Sequence, residues 1–288
     1  MTKVAILGCG PTGLAAAQAA GFYGAEVTIF SKDRKSDMFG AQYLHEPIPG
    51  IDAGDPVMID YQLKGTLDAY RDKVYGPGSD VAVSPEDYAG QHQAHDIRRS
   101  YDRLWEIWHD SVVPTTITPG WLAGSLSDDF DHVISTIPLP QLCIKGHTFT
   151  GQDVWVMGDS DRQAVPVLVA ANTVVCNGEE SPSWYRASNI FGYKTVEWPM
   201  HNRKPPLPVA KVTKPIDNTC TCWPKITRLG RFGMWRKGIL VHHAFHMALD
   251  LFIGNLGPEQ TRHHYSPCPL SDKSLSWFVA DQMGCRCG

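Results

Sequence analysis

The chain has 288 residues, 43 % of them hydrophobic and 19 % charged, a balance that supports a sizeable buried core and excludes a disordered or fibrous polypeptide. Lys and Arg number 26 against 30 Asp and Glu, leaving a formal net charge of -4, so the chain lacks the overall positive field that holds proteins non-specifically on nucleic acid or anionic lipid. No apolar run approaches the roughly 20 residues that span a bilayer, and Met1 to Leu7 leads directly into a glycine-rich turn rather than a cleavable leader. A cytoplasmic protein with no membrane partner is the expectation, its cysteines being thiols or metal ligands rather than disulfides.

In chain order, Val4 to Leu7 predicts a buried parallel strand that opens into Gly8-Cys9-Gly10-Pro11-Thr12-Gly13. Leu14 to Ala20 predicts a helix ended by Gly21 and Gly24, and Val27 to Phe30 a second strand. This is G-x-G-x-x-G in its β-α-β context, the dinucleotide fingerprint. Gly8 makes the tight turn, Gly10 lets a pyrophosphate approach the backbone, and Gly13 lets the helix lie close to the strand. The helix N-terminus, with Pro11 and Thr12 in its first turn, then faces the anion. Where an Asp or Glu usually meets the ribose, this chain has Ser31, then Lys32, Asp33 and Arg34. A serine hydroxyl bonding the ribose of FAD is one reading; Lys32 and Arg34 receiving the 2′-phosphate of NADP is the other.

Tyr101 to His109 has apolar residues at helical spacing and predicts a core-facing helix. Asp131 to Pro138 and Val154 to Asp159 predict strands, and Asp159 reads equally as a turn former or a ribose contact. Val167 to Val175 and Trp184 to Phe191 predict a hairpin about Asn177-Gly178. Glu197 and Trp198 read as a strand edge with an exposed charge, and Lys204 to Lys214, rich in proline and lysine, as an extended connection. Cys220, Cys222, Cys268, Cys285 and Cys287 offer thiolates to a metal, but their spacing is not that of a zinc ribbon, so unliganded thiols and no metal are expected. Lys225 to Trp235 predicts a short strand and a turn with glycines flanking Arg231-Phe232, and Ile239 to Phe252 a helix in which His242, His243 and His246 read as packing residues, with His242 or His243 beside a cofactor as the second reading.

Together, the N-terminal β-α-β unit, the Ile134-Ser135-Thr136-Ile137-Pro138 strand end, the Asn177 to Arg186 hairpin and the Gly230-Arg231-Phe232-Gly233 turn resemble the UDP-galactopyranose mutase and amine oxidase group of flavoproteins. The resemblance implies an α/β fold: a Rossmann-type FAD-binding domain with a parallel sheet, discontinuous over 1–60, 111–160 and 224–288, and an inserted mixed α+β substrate domain over 61–110 and 161–223. It implies FAD as cofactor, with Gly8, Gly10, Gly13 and Ser31 on the adenosine half, Gly230 and Arg231 at the pyrophosphate, and Gly40, Ala41 and Gln42 near the ribityl chain and ring. Tyr185 and Arg186 fall on the substrate side of the flavin. The implied activity is hydride abstraction from a C–N or C–H bond of a small polar, amine or amino-acid-like substrate. A non-redox mutase or lyase, including one acting on an amino-acid-modified nucleobase, and an NADP-binding reductase are the alternatives. Nucleic acid enters only as such a modified-base substrate.

Overall fold

The computed structural model describes residues 1–34, 38–39, 42–125, 129–158, 167, 169–201, 204–207 and 209–254. Its strands and helices, in chain order, are β1 (Lys3–Leu7), α1 (Pro11–Phe22), β2 (Glu26–Ser31), β3 (Val57–Lys64), α2 (Leu67–Tyr75), β4 (Gly90–Ala94), α3 (Ile97–Trp108), β5 (Val112–Pro114), α4 (Pro119–Ser125), β6 (His132–Ser135), α5 (Leu139–Leu142), β7 (Phe149–Met157), β8 (Thr173–Asn177), β9 (Arg186–Ile190), β10 (Tyr193–Pro199), β11 (Ala210–Asn218), β12 (Ile226–Arg228), α6 (Gly230–Met234) and α7 (Val241–Phe252).

Two sheets organise them. Five strands in the order β12-β6-β1-β2-β5 are parallel throughout. Such a sheet is covered on both faces, so its central strand reads as a continuous apolar run. In β1, Val4 and Ile6 join a core built with α1, α3 and α7, while Ala5 and Leu7 face Leu122, Leu142 and Ile226 on the other side. The chain order reverses between β1 and β6, and parallel sheets bind ligands outside the carboxyl ends of the strands at such a point. Thr136, just beyond β6, donates its hydroxyl to the Leu7 carbonyl at 3.0 Å, closing that crevice beside the glycine turn.

The second sheet has seven strands in the order β11-β7-β10-β9-β8-β3-β4, antiparallel except for β3 against β8. Tyr70 and Val74 of α2 cover one part of it, packed with Val154, Val156, Cys176 and Tyr185. Trp184, Val196 and Trp198 belong to a separate cluster with Met157 and Val175. The chain passes between the sheets four times: β2 leads to β3 and β4 returns to β5, then β6 leads to β7 and β11 returns to β12.

The expected hairpin is realised as β8 and β9, but the strand expected over Val167 to Val175 is corrected: it begins only at Thr173, after a turn at 171–172 where Asn172 takes a positive φ of 52°. Two elements lie across the expected segment boundaries: β7 belongs to the mixed sheet, although its residues fall within 111–160, and α3 packs on α1, although its residues fall within 61–110. The expected extended connection over 204–214 is corrected in its second half, where β11 begins at Ala210 and pairs along β7. Pro215 is tolerated there because β11 is an edge strand and its register shifts between Pro215 and Asp217. Among the described residues, no helix is long and apolar enough to cross a membrane.

The glycine turn separates packing from ligand access. A Cβ on Gly13 would lie 1.9 Å from the Gly8 carbonyl oxygen, whereas one on Gly10 would meet nothing within 4 Å. Gly13→Ala is therefore expected to lower stability by about 1–3 kcal/mol through overpacking, and Gly10→Ala by less than about 1 kcal/mol. Urea unfolding of the two variants checks the order; equal losses would place Gly13 outside the tight turn.

Candidate active site

The carboxyl end of β1 carries the glycine turn, with Gly10 capping α1 and Pro11 at its first position. Proline there is pre-set for the helix and has no N–H to lose, and no acidic side chain stands in the first turn to repel an anion. Tyr101 of α3 donates to the Cys9 carbonyl at 2.9 Å, fixing the turn from the side. Ser31 ends β2 with little exposure, and Lys32 is exposed beyond it. Arg34 pairs with Asp102 and lies 4.9 Å and 5.2 Å from the ring centroids of Tyr101 and Trp105. Its guanidinium is thus held against α3. Gln42 donates to the carbonyl of Phe39, while Gly40, Ala41 and Asp159 lie outside the described residues.

Opposite the glycine turn stands the Gly230-Arg231 turn. Gly230 has φ +74°, and a Cβ there would lie 2.3 Å from Thr12 Cγ2; one on Gly233 would lie 2.5 Å from the Ser135 carbonyl. Both glycines are needed for these contacts, which set α6 against the first turn of α1 and the end of β6. Arg231 carries a buried Nε with no hydrogen-bond partner among the described residues. Burial and the Arg186 charge both disfavour its cation. Arg231 therefore sits within electrostatic reach of the mixed sheet.

In the mixed sheet, one carboxylate gathers its neighbours. Glu197 of β10 has no solvent exposure. Arg186, directly across on β9, donates through Nε at 2.8 Å and through Nη2 to the same oxygen, Oε1. Lys214 of β11 and the Tyr185 hydroxyl both donate to Oε2, and Lys214 also donates to Tyr185 at 2.9 Å. Burial opposes ionisation of Glu197, but Arg186 and Lys214 outweigh it and hold the carboxyl well below the usual carboxylate range. Tyr185 is 1 % exposed, and burial with the adjacent Glu197 charge keeps its phenol protonated. Lys214 is brought down to about 7, first by burial and then by Arg186. Arg186 and Lys214 thus pair directly with one carboxylate, with the Arg231 charge within electrostatic reach, and lysine is the one whose proton is lost most readily.

A histidine patch adjoins this cluster. His45 lies 5.7 Å from His242 and 6.3 Å from His92, ring to ring, and stacks on Tyr43 at 4.7 Å. Tyr43 and Tyr61 hydroxyls are 3.2 Å apart, and the Arg186 charge reaches Tyr61. His92 Nε2, His242 Nδ1 and His246 Nδ1 are buried without hydrogen-bond partners among the described residues. Burial, then His243 and His45, push His242 down to about 3, so it is neutral at pH 7.

Tyr185, Arg186 and Arg231 are therefore brought together, and Gly8, Gly10, Pro11, Thr12, Gly13 and Gly230 form the facing turn. Glu197 corrects the expected exposed edge: β10 is flanked by β7 and β9, so the charge is interior. Lys214 was hidden in the expected connection. The available signal was a charge inside the apolar run Val196-Glu197-Trp198, which in an inner strand requires a buried partner.

The fold matches a reduced UDP-galactopyranose mutase with a TM-score of 0.55 at 13 % identity, over 92 % of this chain and 98 % of that one. The chain has a Rossmann-type flavoprotein fold. The same fold is shared with a tryptophan C-6 flavin-dependent halogenase from taromycin biosynthesis, at TM-score 0.54 and 9 % identity over 97 % and 76 % of the two chains. It is shared also with the tryptophan 5-halogenase MibH, at 0.52 and 10 % over 98 % and 71 %. No protein-family model matches the sequence, and no curated protein matches it. Within this flavoprotein fold, the open space at Gly10, the α1 N-terminus without a side-chain cap bond and the orphaned Nε of Arg231 fit an anionic dinucleotide.

Glu197→Gln is expected to destabilise the protein by about 3–5 kcal/mol, because it leaves buried cations uncompensated. The native carboxyl is depressed below its unfolded value of about 4.3, so its stabilisation is complete above that pH and is lost as pH falls toward the native value. Urea midpoints measured from pH 7 downward should decline for the wild type and stay flatter for Glu197→Gln. Parallel acid limbs would remove Glu197 as the acid-sensitive group.

Proposed function

We propose that the chain is an FAD-dependent enzyme that takes a hydride from a C–N or C–H bond of a small polar substrate bearing a carboxylate or phosphate. The observation that carries this reading is the surplus of positive charge about the single carboxylate of Glu197: Arg186 and Lys214 paired with it directly, and Arg231 within electrostatic reach. An anionic substrate group would restore the balance, and a guanidinium holds such a group in a planar, bidentate manner. The glycine turn, Thr12, Ser31 and Gly230 would hold the cofactor, Gln42 standing toward its ring side. FAD supplies the hydride-accepting chemistry when bound. The protein supplies orientation through Arg186, which Glu197 fixes from behind, and low water access through the buried ring of His242. With Arg34 turned onto α3, Lys32 is left as the only one of the two expected cations available to a 2′-phosphate, which favours FAD over NADP.

Lys214 favours a second reading. A lysine that releases its proton near pH 7 suits acid–base work on a leaving amine or hydroxyl, as a non-redox mutase or lyase would require. Cofactor released by heat from the purified protein should chromatograph as FAD. Anaerobic mixing with candidate amino acids and hydroxy acids distinguishes the two chemistries: lasting loss of flavin absorbance marks hydride transfer, and product without lasting bleaching marks the mutase or lyase. NADP in place of FAD would overturn both.

The anion site makes its own prediction. Arg186→Lys should retain FAD while binding carboxylate ligands about 10- to 100-fold more weakly in flavin-difference titrations, from the loss of charge-assisted bonds worth roughly 1.5–3 kcal/mol. Wild-type affinity should fall as pH rises through about 7, where Lys214 loses its charge, and Lys214→Arg should flatten that profile. Unchanged affinity in Arg186→Lys would move the anion site elsewhere.

A further inference from the structure

Two of the four crossings between the sheets come together at a cluster of metal-ligand side chains. Cys143 and His147 lie on the chain from β6 to β7, and Cys220 and Cys222 on the chain from β11 to β12. Their ligand atoms all lie within 4.8 Å of one another. Cys143 Sγ is 3.3 Å and Cys222 Sγ 3.6 Å from His147 Nδ1. Zinc bonded at about 2.3 Å to sulfur and about 2.05 Å to nitrogen in a tetrahedron places sulfur and nitrogen roughly 3.5 Å apart, so both observed separations match a tetrahedral edge. All of these cysteines are free thiols.

Their surroundings are built to hold them. The Trp223 indole donates to the Leu142 carbonyl at 2.7 Å, and Thr148 and Thr219 exchange two hydrogen bonds of 3.0 Å and 3.1 Å, so the crossings are fastened on both sides of the cluster. Arg228 is buried at 5 % exposure. It donates to the carbonyls of Cys220 and Cys222, and its Nη2 is 3.8 Å from Cys220 Sγ. Three thiolates and one imidazole about a divalent ion carry a net charge of −1, and a buried guanidinium beside one sulfur offsets it. The cluster differs from the cysteine grouping expected from the sequence, since Cys268, Cys285 and Cys287 lie outside the described residues.

We propose that Cys143, His147, Cys220 and Cys222 form a structural zinc site that clamps the β6–β7 and β11–β12 crossings together. With all four positions taken by protein, the ion has no open coordination place and serves as a staple rather than a Lewis acid. Because β12 runs directly into the Gly230-Arg231 turn, the staple sets where Arg231 stands relative to the mixed sheet. The site is independent of the cofactor's identity.

Elemental analysis of the full-length protein after dialysis against metal-free buffer tests this. One zinc per chain is expected, falling at least about tenfold in Cys143→Ser and in Cys222→Ser, in keeping with the loss of a ligand. Zinc should persist in Cys285→Ser/Cys287→Ser. Should the loop variants fail to fold, wild-type protein stripped of metal and reloaded with cobalt(II) gives the answer: strong visible bands of a tetrahedral centre with near-ultraviolet thiolate charge transfer support the site. Six-coordinate cobalt spectra, no uptake, a disulfide among these cysteines, or zinc that follows Cys285 and Cys287 would overturn it.

Discussion

A carboxylate with no access to water can remain charged only where cations are brought to it, and this requirement ties three strands of the mixed sheet together. Glu197 on β10 is met by Arg186 from β9 and by Lys214 from β11. The strands between them must therefore keep register: β10 pairs β9 on one side and β7 on the other, and β11 reaches the cluster across β7. Removing the carboxylate would leave like charges facing one another in a poorly solvated space. The cluster thus constrains sheet geometry and creates the electropositive surface at once.

The parallel sheet contributes a different kind of constraint, of close backbone approach rather than charge. Gly13 against the Gly8 carbonyl, Gly230 against Thr12 and Gly233 against the Ser135 carbonyl bring three chain segments to one crevice. α6 is the piece common to both systems, its glycines turned to the parallel sheet and its Arg231 electrostatically coupled to the mixed one. A cofactor in the crevice and an anion at the cluster would thereby be neighbours by construction.

The glycine turn was legible in the sequence because its meaning is local: the glycines, the preceding apolar run and the following alanine-rich helix lie within some twenty residues. The Gly230-Arg231-Phe232-Gly233 turn was legible from its flanking glycines, its role only through the resemblance, and its Gly230 lies against Thr12 of the glycine turn. Glu197 and Lys214 were not, since nothing in either neighbourhood tells which strands flank β10 or that a proline-bearing stretch can form an edge strand with a shifted register. His147 was invisible as a ligand because its partners lie four and more than seventy residues away. Non-local pairing is what periodicity and spacing do not encode.

The register shift between Pro215 and Asp217 has a consequence for how this chain tolerates change. Beyond it, the Lys237 N–H bonds the Ile216 carbonyl at 3.1 Å and the Asn218 side chain bonds the Met234 carbonyl at 2.8 Å, so the end of β11 is laced to α6 just after Arg231. Side chains alternate along a strand, and a slip by one residue would turn Lys214 to the opposite face. The irregularity works like a vernier between two fixed scales: upstream, the chain is matched to Glu197, and downstream, to α6. Drift in composition along this edge is cheap, whereas an insertion or deletion of a single residue there would uncouple the lysine from the arginine.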